Sequence, residues 1–353
     1  DPEKGLFYCE HPITEVADWE PERVIFLLYY GHDGTPNEIH AFKQELKKRA
    51  GLPKEAIRYI EAMPRKGHPM ALYSAAILIL GMFEGKEDYR EDCLNLIAKI
   101  PEVTAVVINY HAGWGETPPP NPELGYIENF SQMVKLPSSS TDIAQVFKLF
   151  NILHYDHGGG NLSTFVGKAV ASGLEDMYGS IAASLNALAG PRHGRANQEC
   201  LHFVAEMLKS LGKNATEETV ERTIRERLDR NELIYGFGHA VLRVEDPRAT
   251  LQYAIAEQRF ADNPLVRMAL MVRKMGAKVL KENPKITNPY PNVDAISGIL
   301  LTAAGFPYPE YYTVLFGLSR TVGIASQIVY ERLYARGGKG TPIVRPKYLY
   351  KPR

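Results

Sequence analysis

A chain of 353 residues, 45% of them hydrophobic, carries enough apolar material for a large core, and its length suits one big domain or two of ordinary size; a disordered chain is excluded. Lys plus Arg and Asp plus Glu both number 41, so the formal charge is zero, no excess positive field is available to hold a polyanion, and no nucleic-acid partner is expected. Three cysteines, Cys9, Cys93 and Cys200, stand far apart without CxxC or Cys/His spacing, which argues against a disulfide framework or a zinc site and favours a reducing compartment.

The chain opens on Asp1-Pro2-Glu3-Lys4 without an initiator methionine, so an upstream segment, a targeting peptide included, can precede it. From about residue 19 apolar residues recur with a period near 3.6 and strand-like alternation is scarce, which predicts an all-α protein. The longest apolar stretches, such as 71–82, are too short and too punctuated by polar residues to span a bilayer, so no membrane anchor is expected. Pro/Gly clusters at 113–122, 283–291 and 337–342 mark loops.

After Thr141-Asp142, residues Ile143, Val146, Phe147, Phe150 and Leu153 lay one apolar stripe along a helix that ends at His154-Tyr155-Asp156-His157 and glycines 158–160. The stretch 163–188, broken by Gly173, is rich in small residues and predicts closely packed helices, within the chain or across an oligomer interface. Amphipathic helices are expected over 197–211 and 216–229, and Asp246-Pro247 and Asn263-Pro264 each pair a capping residue with a proline at the first helical position. The charged texture of the helices over about 197–281 places a domain boundary at their start.

Four constellations carry possible chemistry. In Leu153-His154-Tyr155-Asp156-His157-Gly158-Gly159-Gly160-Asn161, two histidines three apart sit beside an open backbone. They suit an oxygen-rich ligand, a metal ion lacking further ligands nearby, or simply a capped helix with solvated imidazoles. In Gly190-Pro191-Arg192-His193-Gly194-Arg195-Ala196-Asn197, a glycine-flanked histidine precedes a helix, where the dipole and Arg192 and Arg195 all disfavour its cationic form. A neutral imidazole there donates to a developing oxyanion; the alternative is a structural loop histidine.

The third, Tyr235-Gly236-Phe237-Gly238-His239-Ala240-Val241-Leu242-Arg243 followed by Asp246-Pro247-Arg248, follows no predicted strand and lacks the third glycine of a dinucleotide fingerprint. It leaves a histidine, free backbone N–H groups and two arginines suited to anionic oxygens. The fourth, Asn288-Pro289-Tyr290-Pro291-Asn292-Val293-Asp294-Ala295-Ile296-Ser297-Gly298, puts an aspartate where a loop becomes a helix, either as a cap or as a general base beside a carbon acid. Arg320 and Arg345 each stand alone in apolar or proline-bearing surroundings, and Cys200 reads as a buried thiol rather than a nucleophile.

In this order and at these separations, the GPxHGxAN, GxGHxVxxxxDPR and PNVDxxSG patterns together resemble the citrate synthase family from about residue 1 to residue 347. The strings around His157 and His239 look most like the branch that includes the mitochondrial enzymes and some bacterial ones. The resemblance implies a two-domain helical fold, with 1–192 and 297–353 as a large domain and 193–296 as a smaller mobile one. It implies condensation of acetyl-CoA with oxaloacetate, with catalytic His193, His239 and Asp294. His157, Arg248, Arg320 and Arg345 would hold oxaloacetate, the last from the partner of a homodimer, and Leu233, Gly236, Gly238 and Arg243 would hold CoA. No cofactor or metal is implied, and the expected location is a bacterial cytoplasm or, alternatively, the mitochondrial matrix.

Three departures from the family pattern stand out: Asn109 occupies a place where an arginine often helps bind CoA, Arg192 and Arg195 replace small or apolar residues, and the family's N-terminal segment is not in view. The rival readings are a 2-methylcitrate synthase using propionyl-CoA, a citryl-CoA lyase running the carbon–carbon step in reverse, and a non-catalytic member acting as a binding protein.

Overall fold

The computed structural model describes every residue except 139, 159, 348 and 350–353, so the middle glycine of the 158–160 run lies outside the described residues. The chain opens on two short antiparallel strands, β1 (Phe7–Tyr8) and β2 (His11–Pro12), in which Tyr8 faces His11. So small a hairpin is not stable by itself. Tyr8 anchors it: fully buried, its hydroxyl donates to Ile152 O (2.7 Å) and accepts from Asp156 N (3.2 Å).

Apart from an isolated bridge between Phe237 and Pro291, the other regular elements among the described residues are helical, as the 3.6-residue period predicts. The first half comprises α1 (Ile13–Val16), α2 (Pro21–Tyr30), α3 (Pro36–Arg49), α4 (Lys54–Glu61), α5 (Pro69–Glu84), α6 (Tyr89–Ala112), α7 (Tyr126–Met133) and α8 (Ile143–His154). The second comprises α9 (Leu162–Ser172), α10 (Met177–Leu188), α11 (Ala196–Leu211), α12 (Glu217–Asp229), α13 (Pro247–Phe260), α14 (Pro264–Lys281), α15 (Asp294–Ala303) and α16 (Tyr312–Leu333). Asp246 and Asn263 cap as their spacing predicts, accepting from Arg248 N (3.0 Å) and Leu265 N (2.9 Å).

One expectation is corrected. The 24-residue helix α6 is long and apolar enough to cross a membrane by length and composition, but 89% of its most apolar window is buried inside the fold. It lies against α3, α5, α7 and α16, and it carries the buried Asp92, Lys99 and Glu102, which break up its apolar pattern in the sequence.

The small-residue stretch packs within the chain itself. A Cβ on Gly167 of α9 would stand 3.0 Å from Ile324 of α16 and 3.2 Å from Ser184 of α10, so the three helices approach to backbone distance. Helices α11, α12 and α14 form a second group, joined to α16 and the rest through α15 and α11. The candidate residues gather where these two groups meet.

Candidate active site

His193 stands in the turn between α10 and α11. The turn is tight: His193 N donates to Gly190 O and Gly194 N to Leu188 O, both at 3.0 Å, and a Cβ on Gly194 would lie 2.5 Å from that Leu188 oxygen. The imidazole Nε2 accepts from Ser163 N (3.2 Å) and lies 2.9 Å from Ser163 Oγ. An accepting Nε2 leaves Nδ1 to carry the ring proton. Burial, with Arg320 adding to it, lowers the His193 pKa to about 4, so the ring is neutral at neutral pH.

The charge acting on His193 is therefore Arg320 and not, as the sequence suggests, Arg192 or Arg195. Arg192 is exposed, and Arg195 acts instead on His68, which burial and then that arginine help hold below its ordinary value.

His239 is oriented in the same manner. Its Nδ1 accepts from the backbone N–H groups of Val241 (3.0 Å) and Leu242 (2.9 Å), which leaves the proton on Nε2. Burial and Arg248 lower its pKa. The ring lies 5.5 Å from that of His157, centroid to centroid, and burial followed by Arg248, Arg320 and His239 pushes His157 down to about 2. Neither histidine spends charge at neutral pH; both offer neutral donors beside fixed cations.

Those cations are buried. Arg248 is held by Asp246 through Nε to Oδ1 (3.0 Å) and Nη2 to Oδ2 (2.7 Å), with both side chains at 3% exposure or less. Asp246 thus does two jobs, capping α13 and aiming the guanidinium. Arg320, alone in apolar surroundings in the sequence, is 1% exposed; its Nε donates to His154 O (3.0 Å), and its Nη1 has no partner among the described residues. Burial, with Arg248 beside it, lowers its pKa to about 10, so it keeps its charge.

Asp294 caps nothing. Val293 occupies the N-cap position of α15, Asp294 is the first helical residue, and its Oδ1 is buried without a partner among the described residues. Burial raises its carboxyl pKa to about 7 against the opposing pull of Arg248 and Arg320, with Asp246 adding to the rise. An aspartate held there is far more basic than one in water.

The 233–238 loop is laced to the loop that carries Asp294. Gly238 N donates to Tyr290 O (3.0 Å), Asn292 N to Gly236 O (2.9 Å) and Asn292 Nδ2 to Gly238 O (2.9 Å). Gly236 and Gly238 have φ of 83° and 86°, and a Cβ on Gly236 would lie 2.8 Å from Ala295 Cα and 2.9 Å from Cys200 Sγ. Gly236→Ala is expected to destabilise the fold by roughly 2–4 kcal/mol, the sum of left-handed strain and overpacking. Chemical denaturation measures it; a loss under about 1 kcal/mol would mean that the loop relaxes freely.

Leu233 and Arg243 are exposed on this loop system, the Arg243 Nη1 donating to Leu242 O (2.9 Å). Arg345 is also exposed, on a segment tied to the end of α9 by Val344 N donating to Ser172 Oγ (2.9 Å). Asn109 lies elsewhere: fully buried in α6, it donates to Thr117 Oγ1 and Met133 O (both 2.8 Å) and accepts from Lys135 N (2.9 Å), a satisfied scaffold residue. His154 is buried and stacked on Phe150, and no group of three metal-binding side chains occurs among the described residues. Cys200 is a buried thiol.

A cavity of about 280 Å³ is lined by His157, Gly158, Gly160, His239, Val241, Leu242 and Arg248, with Asp1, Gly5, Leu6 and Phe7 along one wall. A larger groove of about 670 Å³ between α2, α3, α7 and α8 contains none of these groups. Two contributors escape sequence reasoning. Ser163 lies thirty residues before His193 and reads as an ordinary helix-start serine, and Asp246 reads as a cap with no sign of its second bond.

A family model described as "Citrate synthase, C-terminal domain" matches residues 1–347. The chain is 35% identical to "Citrate synthase 4, mitochondrial" of Arabidopsis thaliana, over 98% of this chain and 77% of that protein. It is 32% identical to "Citrate synthase, mitochondrial" of Saccharomyces cerevisiae, over 98% and 76%. Among solved structures, it superposes on a Thermotoga maritima citrate synthase with a TM-score of 0.83 at 28% identity, covering 99% of this chain and 90% of that one. It superposes on a Thermoplasma acidophilum citrate synthase, in ternary complex with carboxymethyl coenzyme A and oxaloacetate, with a TM-score of 0.86 at 25% identity, covering 100% and 92%.

Proposed function

The chain belongs to the citrate synthase family, enzymes that condense acetyl-CoA with oxaloacetate and hydrolyse the resulting citryl-CoA, and we propose that His193, His239 and Asp294 carry that chemistry here. The observation that carries the assignment is a buried carboxyl raised to about 7 that feels Arg320 and Arg248, the same two cations that act on the imidazoles of His193 and His239, each of which has one nitrogen pinned as an acceptor by backbone N–H groups.

Asp294 takes a proton from the methyl carbon of acetyl-CoA. Its desolvated carboxylate is a strong enough base only if the enol oxygen is stabilised at the same moment, and the protonated Nδ1 of neutral His193 donates to it. The enol carbon then attacks the oxaloacetate carbonyl, whose oxygen receives the Nε2 proton of His239. Arg248, Arg320 and His157 hold the two carboxylates, the planar guanidinium groups suiting bidentate contact. Water then cleaves citryl-CoA, which drives the sequence forward.

CoA is assigned to the loop from Leu233 through Gly236 to Gly238, with Arg243 near its phosphates; the exposure of Leu233 and Arg243 supports this. Residues 193–296 are assigned as the unit that closes over the substrates and excludes water. A homodimer completes the site with the Arg345 of the partner subunit, a reading supported by the exposed Leu78, Met82 and Phe83 on α5. Of the two expected compartments, the mitochondrial matrix is supported by the names of the plant and yeast relatives.

The deciding assay is thiol release from acetyl-CoA and propionyl-CoA, each with and without oxaloacetate. Oxaloacetate-dependent release, faster with the acetyl thioester, is expected; none from either would sink the enzyme reading, and a propionyl preference would reassign it to methylcitrate synthesis. The limiting rate at low substrate should fall on acidification with a midpoint near pH 7, because protonating Asp294 removes the base. A rate flat between about pH 5 and pH 8 contradicts that role.

A further inference from the structure

One face of α16 grips the segment that presents His157. Arg320, Gly323 and Gln327 are spaced three and four apart, so they share a face of the helix. Each donates to the 154–157 segment. Arg320 Nε bonds His154 O (3.0 Å), Gly323 N bonds Tyr155 O (2.9 Å), and Gln327 Nε2 bonds both His157 O (3.1 Å) and Asp156 Oδ1 (2.7 Å).

The contact is too close for a side chain at 323: a Cβ there would stand 2.5 Å from Tyr155 O and 2.3 Å from Asp156 Oδ1. The Gln327 amide is oriented from behind. Its Oε1 accepts from Lys168 Nζ (3.3 Å), an ammonium that also pairs with Glu331 (2.6 Å), so the NH₂ group must face the carboxylate and the carbonyl. Asp156 is in turn joined to β1, since its backbone N donates to Tyr8 OH (3.2 Å).

We infer that Gln327 is a positioning residue for oxaloacetate: by holding the His157 carbonyl and the Asp156 side chain on the same helix that carries Arg320, it fixes the His157 imidazole relative to that guanidinium. It touches no substrate. Two groups expected to hold one small dianion thus move as a unit, and the spacing between them is set by a neutral amide. The inference rests on His157 being an oxaloacetate ligand.

The test uses the full chain and two variants. Gln327→Met keeps the volume and removes both donors; oxaloacetate KM and Kd are expected to rise about tenfold, the equivalent of one lost bond to a charged group, while the acetyl-CoA KM changes less than about twofold. Gln327→Glu sets a second carboxyl against Asp156. When the two share a proton, that proton replaces the amide's bond to Asp156 and removes the repulsion between the carboxylates, while the bond to His157 O stays lost. The oxaloacetate KM of this variant should therefore recover part of the way toward that of the parent between about pH 8 and pH 6, a recovery that Gln327→Met lacks.

Equal losses for both substrates, or no acid recovery in Gln327→Glu, would overturn the inference; if Gln327→Met fails to fold, the acid recovery alone decides. His157→Ala separates the two levels. Unchanged oxaloacetate binding in that variant would remove His157 as a ligand, whereas weakened binding there with normal binding in Gln327→Met would remove only the role of Gln327.

Discussion

Asp294→Asn is expected to lower kcat by roughly 10²–10⁴-fold while leaving oxaloacetate affinity close to the parent value. The amide has the same shape but no lone pair basic enough to take a methyl proton, and the groups assigned to the carboxylates of oxaloacetate are untouched. Thiol release and calorimetric binding of oxaloacetate together check both halves. Retained turnover would mean that another group is the base.

The same substitution has a signature in stability. The folded carboxyl sits near 7, above its unfolded value of about 3.9. Between those values the folded state binds the proton that the unfolded state has lost, so the parent loses stability as pH rises through that window. The Asn variant has no such penalty. Its melting temperature should exceed that of the parent at about pH 8 and the gap should close toward about pH 5; a gap independent of pH would contradict a desolvated carboxyl.

Arg248→Leu is expected to lose oxaloacetate binding and, separately, roughly 3–5 kcal/mol of stability. Asp246 is 1% exposed, and without the guanidinium its charge would be buried unpaired. In the parent its pKa is lowered because Arg248 outweighs the opposing effect of burial, so the pair contributes stability above the ordinary carboxylate range and loses it as pH falls through the lowered value. In the variant the backbone N–H of residue 248 still donates to the carboxylate, but burial, the largest influence, then prevails and the sign reverses, so acidification should restore stability.

A second substitution separates the two losses. Adding Asp246→Leu to Arg248→Leu removes the stranded charge and is expected to recover the stability less what the α13 cap contributes, since buried pairs are often replaceable by apolar side chains but a lost cap costs about 1 kcal/mol. It should recover none of the oxaloacetate binding. Recovery of both would mean that Arg248 serves the fold alone, and recovery of neither would mean that the pair holds α13 in place by geometry as well as charge. Urea titration and calorimetry on the two variants distinguish these outcomes.

Much of the helical plan is local physics, and so is legible in the sequence. The stripe from Ile143 to Leu153, the caps at Asp246 and Asn263 and the break at Gly173 all lie within a few residues of what they determine, and the structure places helix ends there. Helix α6 escaped that reading because Asp92, Lys99 and Glu102 interrupt its apolar run. Their charges are accommodated by partners from other segments, as when Lys99 Nζ donates to Gly51 O (2.6 Å) and Leu52 N donates to Glu102.

The order of the glycine-flanked histidines and the loop aspartate likewise needed no coordinates, and it sufficed to place the chain in its family. What only the tertiary structure decided is the state of each group. Ser163 puts the His193 proton on Nδ1, the amides of Val241 and Leu242 put the His239 proton on Nε2, and Arg320 acts on His193 where Arg192 and Arg195 are the nearer charges in the sequence. Asp294, which reads as a helix cap in the sequence, has a carboxyl raised to about 7 chiefly by burial, with Asp246 adding to the rise. Helical periodicity is written in neighbours three and four residues apart, but protonation is set by desolvation and, for His193 and Asp294, by Arg320 and Arg248 brought from distant parts of the chain, an environment that exists only once the chain has folded.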